Sequence, residues 1–266
     1  MKAVLFAAGV IFAGAAAAQA AELQKATVAA FDEYVRKTEA RLDASLKGGG
    51  SFLWVDSSPS ALKEVRGGGV AIRPMTGKGE KEIRDGLVHD WMGAVFIPGV
   101  KLGQVLAVAQ DYDHHKYTHK PEVLDSKLVS RDGNRYKAFL RVSKHKVITV
   151  VLNTDHDVTY YPVDDRRWRS RSYSTRIAQV ENPGEADERE LPPGNDGGYL
   201  WRLYSYWRFE ERDGGVYVEC EALSLTRDVP ALVSWLVTPI IRELPRESLA
   251  NTLISTRNAV LARAGR

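Results

Sequence analysis

The sequence is short of cysteine, of net charge and of long apolar runs. Cys220 is the single cysteine in 266 residues, so no internal disulfide can form and stability has to come from a packed core. Its neighbours Val218 and Ala222 give the alternation of a strand interior, and nothing close in sequence lowers its pKa, so Cys220 reads as a buried, inert thiol. A formal charge of +3 with no acidic or basic tail offers little to a polyanion, which argues against nucleic acid as a partner. Beyond residue 20 no apolar run is long enough to cross a bilayer. Catalytic signatures are missing as well. There is no Gly-x-Ser-x-Gly elbow, zinc-protease motif or dinucleotide fingerprint, and the triple glycines at 48–50 and 67–69 lack the Lys-Ser/Thr of a phosphate loop, so they read as turns.

What is present starts at the N-terminus. Lys2 precedes an uncharged, Ala-rich stretch over 3–18 that ends in Ala18-Gln19-Ala20. A positive end, an apolar centre and a small-x-small site make a secretory signal peptide, with cleavage expected after Ala20 and a periplasmic or secreted mature chain. No cysteine follows the site, so lipid attachment there is excluded.

Residues 26–46 carry Val28, Phe31, Val35, Leu42 and Leu46 at helical spacing, which predicts an amphipathic helix. Short strands are expected at 52–55 and 70–75, and a strand rich in Val, Trp, Met and Phe at 87–97, stopped by Pro98-Gly99. Helical spacing returns at 100–110, then a polar, aromatic stretch over 111–120 ends at Pro121. From there the chain alternates in short periods: strands at 122–130 and 135–143 joined by Asp132-Gly133, a strand at 146–161 that is either bulged or broken near 153–157, and another at 167–180. A loop over 181–198 follows, then strands at 199–211 and 216–226 joined by Asp213-Gly214-Gly215. Short turns between neighbouring strands require antiparallel pairing. The last segment, 229–264, puts Leu232, Leu236, Ile240, Leu244, Leu249, Leu253 and Val260 on one helical face, and such a helix needs an apolar surface to lie on.

This order resembles the helix-grip fold shared by START lipid-transfer domains, the birch-pollen allergen family and bacterial polyketide cyclase-like proteins. The residues that carry the resemblance are Phe96-Ile97-Pro98-Gly99-Val100-Lys101-Leu102, Val105-Leu106, Asp111-Tyr112, Pro121-Glu122-Val123, Arg131-Asp132-Gly133, Ser172 to Ile177, Leu225 to Pro230 and Pro245 to Leu249. It covers 87–264, with 21–86 as an accessory helix and strands of the same domain. The resemblance implies an α+β fold in which a curved antiparallel sheet wraps a long C-terminal helix. It also implies a cavity between them for an apolar molecule such as a lipid.

Several clusters bear on the chemistry. On a strand, Arg167, Arg169, Arg171 and Tyr173 share a face and could hold an anionic headgroup, or simply be a wet outer face. Trp201, Tyr204 and Trp207 lie on one ring-rich strand, suited to core packing or to a cavity wall. Glu219 and Glu221 share a face and fit pairing with Arg202 or Arg208 better than acid–base work. His115 and His119 have ligand spacing on a helix, with Asp111 as a third donor, but the stretch reads better as solvated, and neither a metal nor a cofactor is expected. The reading is an exported carrier of a hydrophobic small molecule, touching membranes only transiently. Its walls are expected to be Leu236 and Ile240 on the helix and Trp201, Tyr204 and Trp207 on the strand, with Arg169 and Tyr173 for a polar end. A cyclase-type enzyme and a protein-interaction scaffold that uses the 181–198 loop stay open as alternatives.

Overall fold

The protein is seen in a computed structural model that describes residues 21–47, 50–145, 149–228 and 234–265, and the side chains of 234–242 lie outside the described residues. The expected signal peptide lies outside them too. In chain order the elements are β1 (Ala21–Glu22), α1 (Lys25–Lys47), a 3-10 turn (Trp54–Ser57), α2 (Pro59–Arg66), β2 (Ala71–Pro74), β3 (Glu80–Ile83) and β4 (Gly86–Pro98). Then come α3 (Leu102–Ala109), a 3-10 turn (Tyr112–His114), α4 (His115–Thr118), β5 (Val123–Asp132), β6 (Arg135–His145), β7 (Thr149–Pro162) and β8 (Arg167–Glu181). The chain closes with β9 (Arg189–Glu190), β10 (Asn195–Asp196), β11 (Arg202–Arg212), β12 (Gly215–Arg227) and α5 (Ser234–Ala264).

One antiparallel sheet dominates, in the order β2-β4-β12-β11-β8-β7-β6-β5, with β3 added to β4 and β9 to β8. Turn chemistry fixes its hairpins. Arg212 faces Gly215 across a two-residue turn in which Asp213 and Gly214 both have positive φ, the backbone that matches the twist of the paired strands. Curvature is visible at the two ends of the sheet, because both reach α5. Asn251 donates to Glu122, just before β5, at 2.8 Å, and Arg257 donates to the carbonyl of Gly68, just before β2, at 2.6 Å. Glu122 also pairs with Lys144 at the end of β6. The sheet therefore grips the helix from both sides, in the α+β helix-grip arrangement that the sequence resemblance implies.

Alternation sets the two faces. Val216, Val218 and Cys220 of β12, Trp91, Val95 and Ile97 of β4, and Phe209 of β11 point inward, where α3 and the Leu249, Leu253 and Val260 stripe of α5 complete the main core. The thiol of Cys220 is buried and its pKa pushed up by desolvation. Contact is close at Gly93, where a Cβ would meet Leu253 and Ile72 at 2.6 Å and Leu249 at 3.2 Å. The outer face of the same strands is covered by residues 25–66. Phe31, Val35 and Leu42 of α1 pack with Val88, Leu223 and Leu225, and the 3-10 turn and α2 pack on Met92, Ala94 and Tyr217.

Some local expectations change. Residues 52–55 do not form a strand, because the backbone N–H groups of Trp54 and Val55 both donate to the Glu219 carboxylate, at 2.8 Å each, and leave no ladder to build. Helix α2 has no counterpart among the expected elements, although Ser58 caps it through the N–H of Ala61 and Pro59 opens it. Of the two readings open for 146–161, one bulged strand or two broken near 153–157, the structure takes the single strand. Strand β7 is continuous, and the irregularity falls on its partner β8, opposite Asp155 and His156.

Because the space at Gly93 is filled from three sides, Gly93→Val should overpack the sheet–helix contact and lower stability by about 1–3 kcal/mol. Urea unfolding should show this as a lower midpoint with an unchanged slope. An unchanged midpoint would mean that α5 sits farther from β4 than described.

Candidate functional site

The outer face holds charge. Glu221 is fully buried and pairs with Arg41 of α1. Arg208 donates to the Leu42 carbonyl at 3.0 Å and to Ser45 Oγ at 2.7 Å. Glu39 accepts from the hydroxyls of Tyr173 at 2.5 Å and Tyr206 at 3.0 Å, and Asp43 accepts from Arg171 at 2.6 Å, with Arg169 at 3.7 Å. Tyr204 meets Phe31 edge-on at 5.3 Å and Tyr173 at 4.9 Å. Trp201 is buried in the same cluster and donates to Asp196 at 3.2 Å.

These placements separate the residues expected to form one wall. Arg169, Tyr173 and Tyr204 lie under α1, on the face turned away from α5, because their odd or even places in β8 and β11 alternate outward. The carboxylates of α1 take the role foreseen for a ligand headgroup. Trp201 precedes β11 and belongs to the α1 side. Trp207 alone of the ring candidates faces inward, stacked beside Phe209 at 6.1 Å and donating to Ser205 at 3.1 Å. Leu236 and Ile240 fall in the part of α5 whose side chains lie outside the described residues. The arginine partner foreseen for Glu221 is Arg41, from α1, rather than Arg202 or Arg208.

The inner face differs in kind. Moving across it from β12 to β6, the chain presents Ala222, Ser205, Ser172, Ser174, His156 and Ala138 in neighbouring registers. These are mostly small side chains, and Ala222, Ser205 and Ser172 are partly exposed although they lie inside the curve of the sheet. Leu203 and Trp207 of β11 and Leu140 of β6, on the same face, are partly exposed as well. On both sides of this lane the face is closed. Val216, Val218 and Cys220 lie under the α5 core, and Tyr136, Val158 and Tyr160 lie under α3 and Tyr112. Tyr160 and Tyr112 share a hydrogen bond of 3.2 Å, and Tyr160 also donates to the Ala109 carbonyl at 3.1 Å. The floor thus consists of small side chains, some of them partly exposed, between larger, buried ones.

Polar groups on this floor are few and fixed. Thr154 donates to the Leu140 carbonyl at 3.0 Å and so accepts from Nε2 of His156 at 3.0 Å. Burial pulls the His156 pKa down to about 4, so the ring is neutral at physiological pH. His89 on β4 repeats the device with Thr226, at 3.1 Å. The histidine-rich stretch is held by contacts of its own. Asp111 holds His114 at 2.6 Å and pairs with Arg263, and the rings of His115 and His119 meet edge-on at 5.1 Å. Among the described residues, no three side chains of ligating type come together, and no helix is long and apolar enough to cross a membrane.

No family model matches the chain, and no curated protein does. Among solved structures it is similar in shape to TTHA0849 from Thermus thermophilus, with 18% identity, 65% of this chain and 97% of that chain covered, and a TM-score of 0.47. A STAR-related lipid transfer protein from Xanthomonas axonopodis gives 18% identity, 69% and 99% coverage and a TM-score of 0.45. The Zhui aromatase/cyclase from a Streptomyces species gives 14%, 67% and 94%, and 0.42.

The outer network leaves one oxygen each of Asp90 and Glu221 without a donor. Asp90 accepts from Tyr34 at 2.7 Å through one oxygen, but its other oxygen and one oxygen of Glu221 are buried without a partner. Burial first, and the Glu221 charge second, raise the Asp90 pKa from 3.8 to about 8. The folded state thus keeps a proton that the unfolded chain has already released. Stability must fall as pH rises from about 4 to about 8, by at most about 1.4 kcal/mol per pH unit, and level off above. Asp90→Asn, whose amide supplies the missing donor, should raise the thermal midpoint at pH 9 and match wild type at pH 4. A wild-type midpoint that climbs between pH 5 and pH 8, unaltered by the substitution, would contradict this.

Proposed function

We propose that the protein binds a hydrophobic small molecule in the space between the inner face of the sheet and α5, and carries it outside the cytoplasm. The observation that supports this most is the partly exposed floor of Ala222, Ser205 and Ser172 enclosed by a sheet that closes on α5 from both edges. A core evolved only for stability would fill such a lane, since each unfilled methylene forfeits about 1 kcal/mol. Trp207 and Leu203 supply apolar wall beside it. Leu236 and Ile240 are proposed to close the lane from the helix side. Reversible burial of ligand surface is all the mechanism requires. Lipids are a natural cargo, in keeping with the resemblance read from the sequence.

Export rests on the 1–20 leader. A chain cut after Ala20 keeps β1, because Ala21 and Glu22 themselves pair with Asp196 and Asn195. The intact mass of protein recovered from the periplasm of a Gram-negative host should therefore be that of residues 21–266. A full-length mass in the cytoplasmic fraction would defeat the assignment.

Binding is testable with N-phenyl-1-naphthylamine, a neutral apolar fluorophore. Its emission should rise on mixing with the mature protein and quench Trp207, and Ala222→Phe should weaken uptake at least about tenfold by filling the lane. Equal uptake by a folded Ala222→Phe variant would move the site elsewhere. Native mass spectrometry of protein purified without detergent should show a co-purifying apolar molecule; turnover of that molecule would favour the cyclase-type alternative over a carrier.

A further inference from the structure

We infer that His156 is the polar anchor of this site and selects a neutral ligand bearing a hydroxyl or N–H donor, such as an alcohol or phenol, over an ionised fatty acid. The inference rests on the binding reading above and adds the chemical class of the guest.

The argument begins with the tautomer. Thr154 uses its only proton on the Leu140 carbonyl, so its oxygen is an acceptor towards His156, and the proton of the imidazole must sit on Nε2. Nδ1 is then a bare lone pair. It is buried, on a residue only 6% exposed, and it has no hydrogen-bond partner. A buried acceptor left empty costs about 1–3 kcal/mol, and a chain that keeps one inside a binding site gains only if a ligand fills it. Across the sheet His156 lies between Ala138 and Ser174, both with small side chains. Ser174 accepts from the N–H of Leu203 at 2.9 Å and makes no bond to His156.

Charge decides between ligand classes. The cations that sequence pattern offered for a carboxylate or phosphate, Arg169 and Arg171, lie on the outer face and are held by Asp43. Lys144, at the seam with α5, is held by Glu122. A carboxylate brought to Nδ1 would meet a lone pair in a dry environment with no counter-charge, whereas an O–H or N–H would complete the chain from ligand through imidazole and Thr154 to the Leu140 carbonyl. His89 has the same tautomer on β4, but Glu80 stands opposite it in register, whereas His156 has Ala138 and Ser174 opposite it.

The test uses a matched pair, 2-naphthol and 2-methoxynaphthalene, which differ in the donor and little else. Calorimetric titration of the wild-type protein should favour the naphthol by about tenfold or more. His156→Leu should bind both probes with nearly equal affinity. In case that variant does not fold, the wild-type protein with ¹⁵N-labelled histidine provides a second reading: naphthol, and not its ether, should shift the Nδ1 resonance of His156. Equal wild-type affinities with no Nδ1 shift would overturn the anchor and leave the binding site standing. Failure of both probes to bind would overturn the site and the anchor together.

Discussion

A carboxylate on a strand that is covered on both faces cannot be hydrated, and here three of them, Asp90, Glu219 and Glu221, sit on the two strands most completely enclosed. Their requirements organise the first quarter of the chain. Glu219 takes the N–H groups of Trp54 and Val55, which turns that segment into a 3-10 turn and seats α2 behind it. Burial drives the Glu219 pKa towards 7 even so. Glu221 draws Arg41, and Asp90 draws Tyr34, from positions two turns apart on α1. Breaking one such contact strands its partner without water, which is the costly kind of loss. The N-terminal segment is thus the lid that makes central strands with acidic outer faces tolerable.

That division of labour explains the chemistry of the inner face. Most charged residues and the tyrosines of β8 and β11 point to the outer face, and the side facing α5 carries alanine, serine, Leu203, Trp168, Trp207, Phe209 and, on β7, neutral His156. Such a surface is largely apolar, with hydroxyls and one neutral imidazole as its polar groups. Its shape comes from the closing contacts of Asn251 and Arg257 at the two sheet margins, and these depend on α5 lying against Gly93, where no side chain intervenes.

Periodicity revealed much of this architecture. Period-two alternation across 135–142 and 216–226 marks strands with two unlike faces, and the Asp-Gly pairs mark their turns. The helical spacing of 26–46 and of 244–260 announces helices with an apolar side. What alternation cannot say is which face meets which helix. Arg169, Tyr173 and Tyr204 carry the same parity whether they line a cavity or bind a covering helix, and only the position of α1 decides. The pairing of Glu39 and Asp43, one helical turn apart, with Tyr173 and Arg171, one strand repeat apart, is a matching of two periods that neither segment displays alone. His156 gives no sequence signal for a related reason. A solitary histidine in a run of Thr, Asp and Val has no motif, and its interest lies in a hydroxyl two residues earlier that sets its tautomer.

The free margin of the sheet carries a last consequence. Strand β5 pairs only with β6, and its register slips twice, at Leu124 and Val129, which are the two apolar side chains most exposed along it. Each slip throws the following residues out of phase, and the N–H of Leu128 is taken by the side chain of Asp113 rather than left open. Lys127, Arg131 and Asp132 charge the remainder. A strand from a second molecule would find no even ladder to extend. In a crowded compartment, where a long flat margin seeds fibrils, this one ends the growth of the sheet at its own boundary.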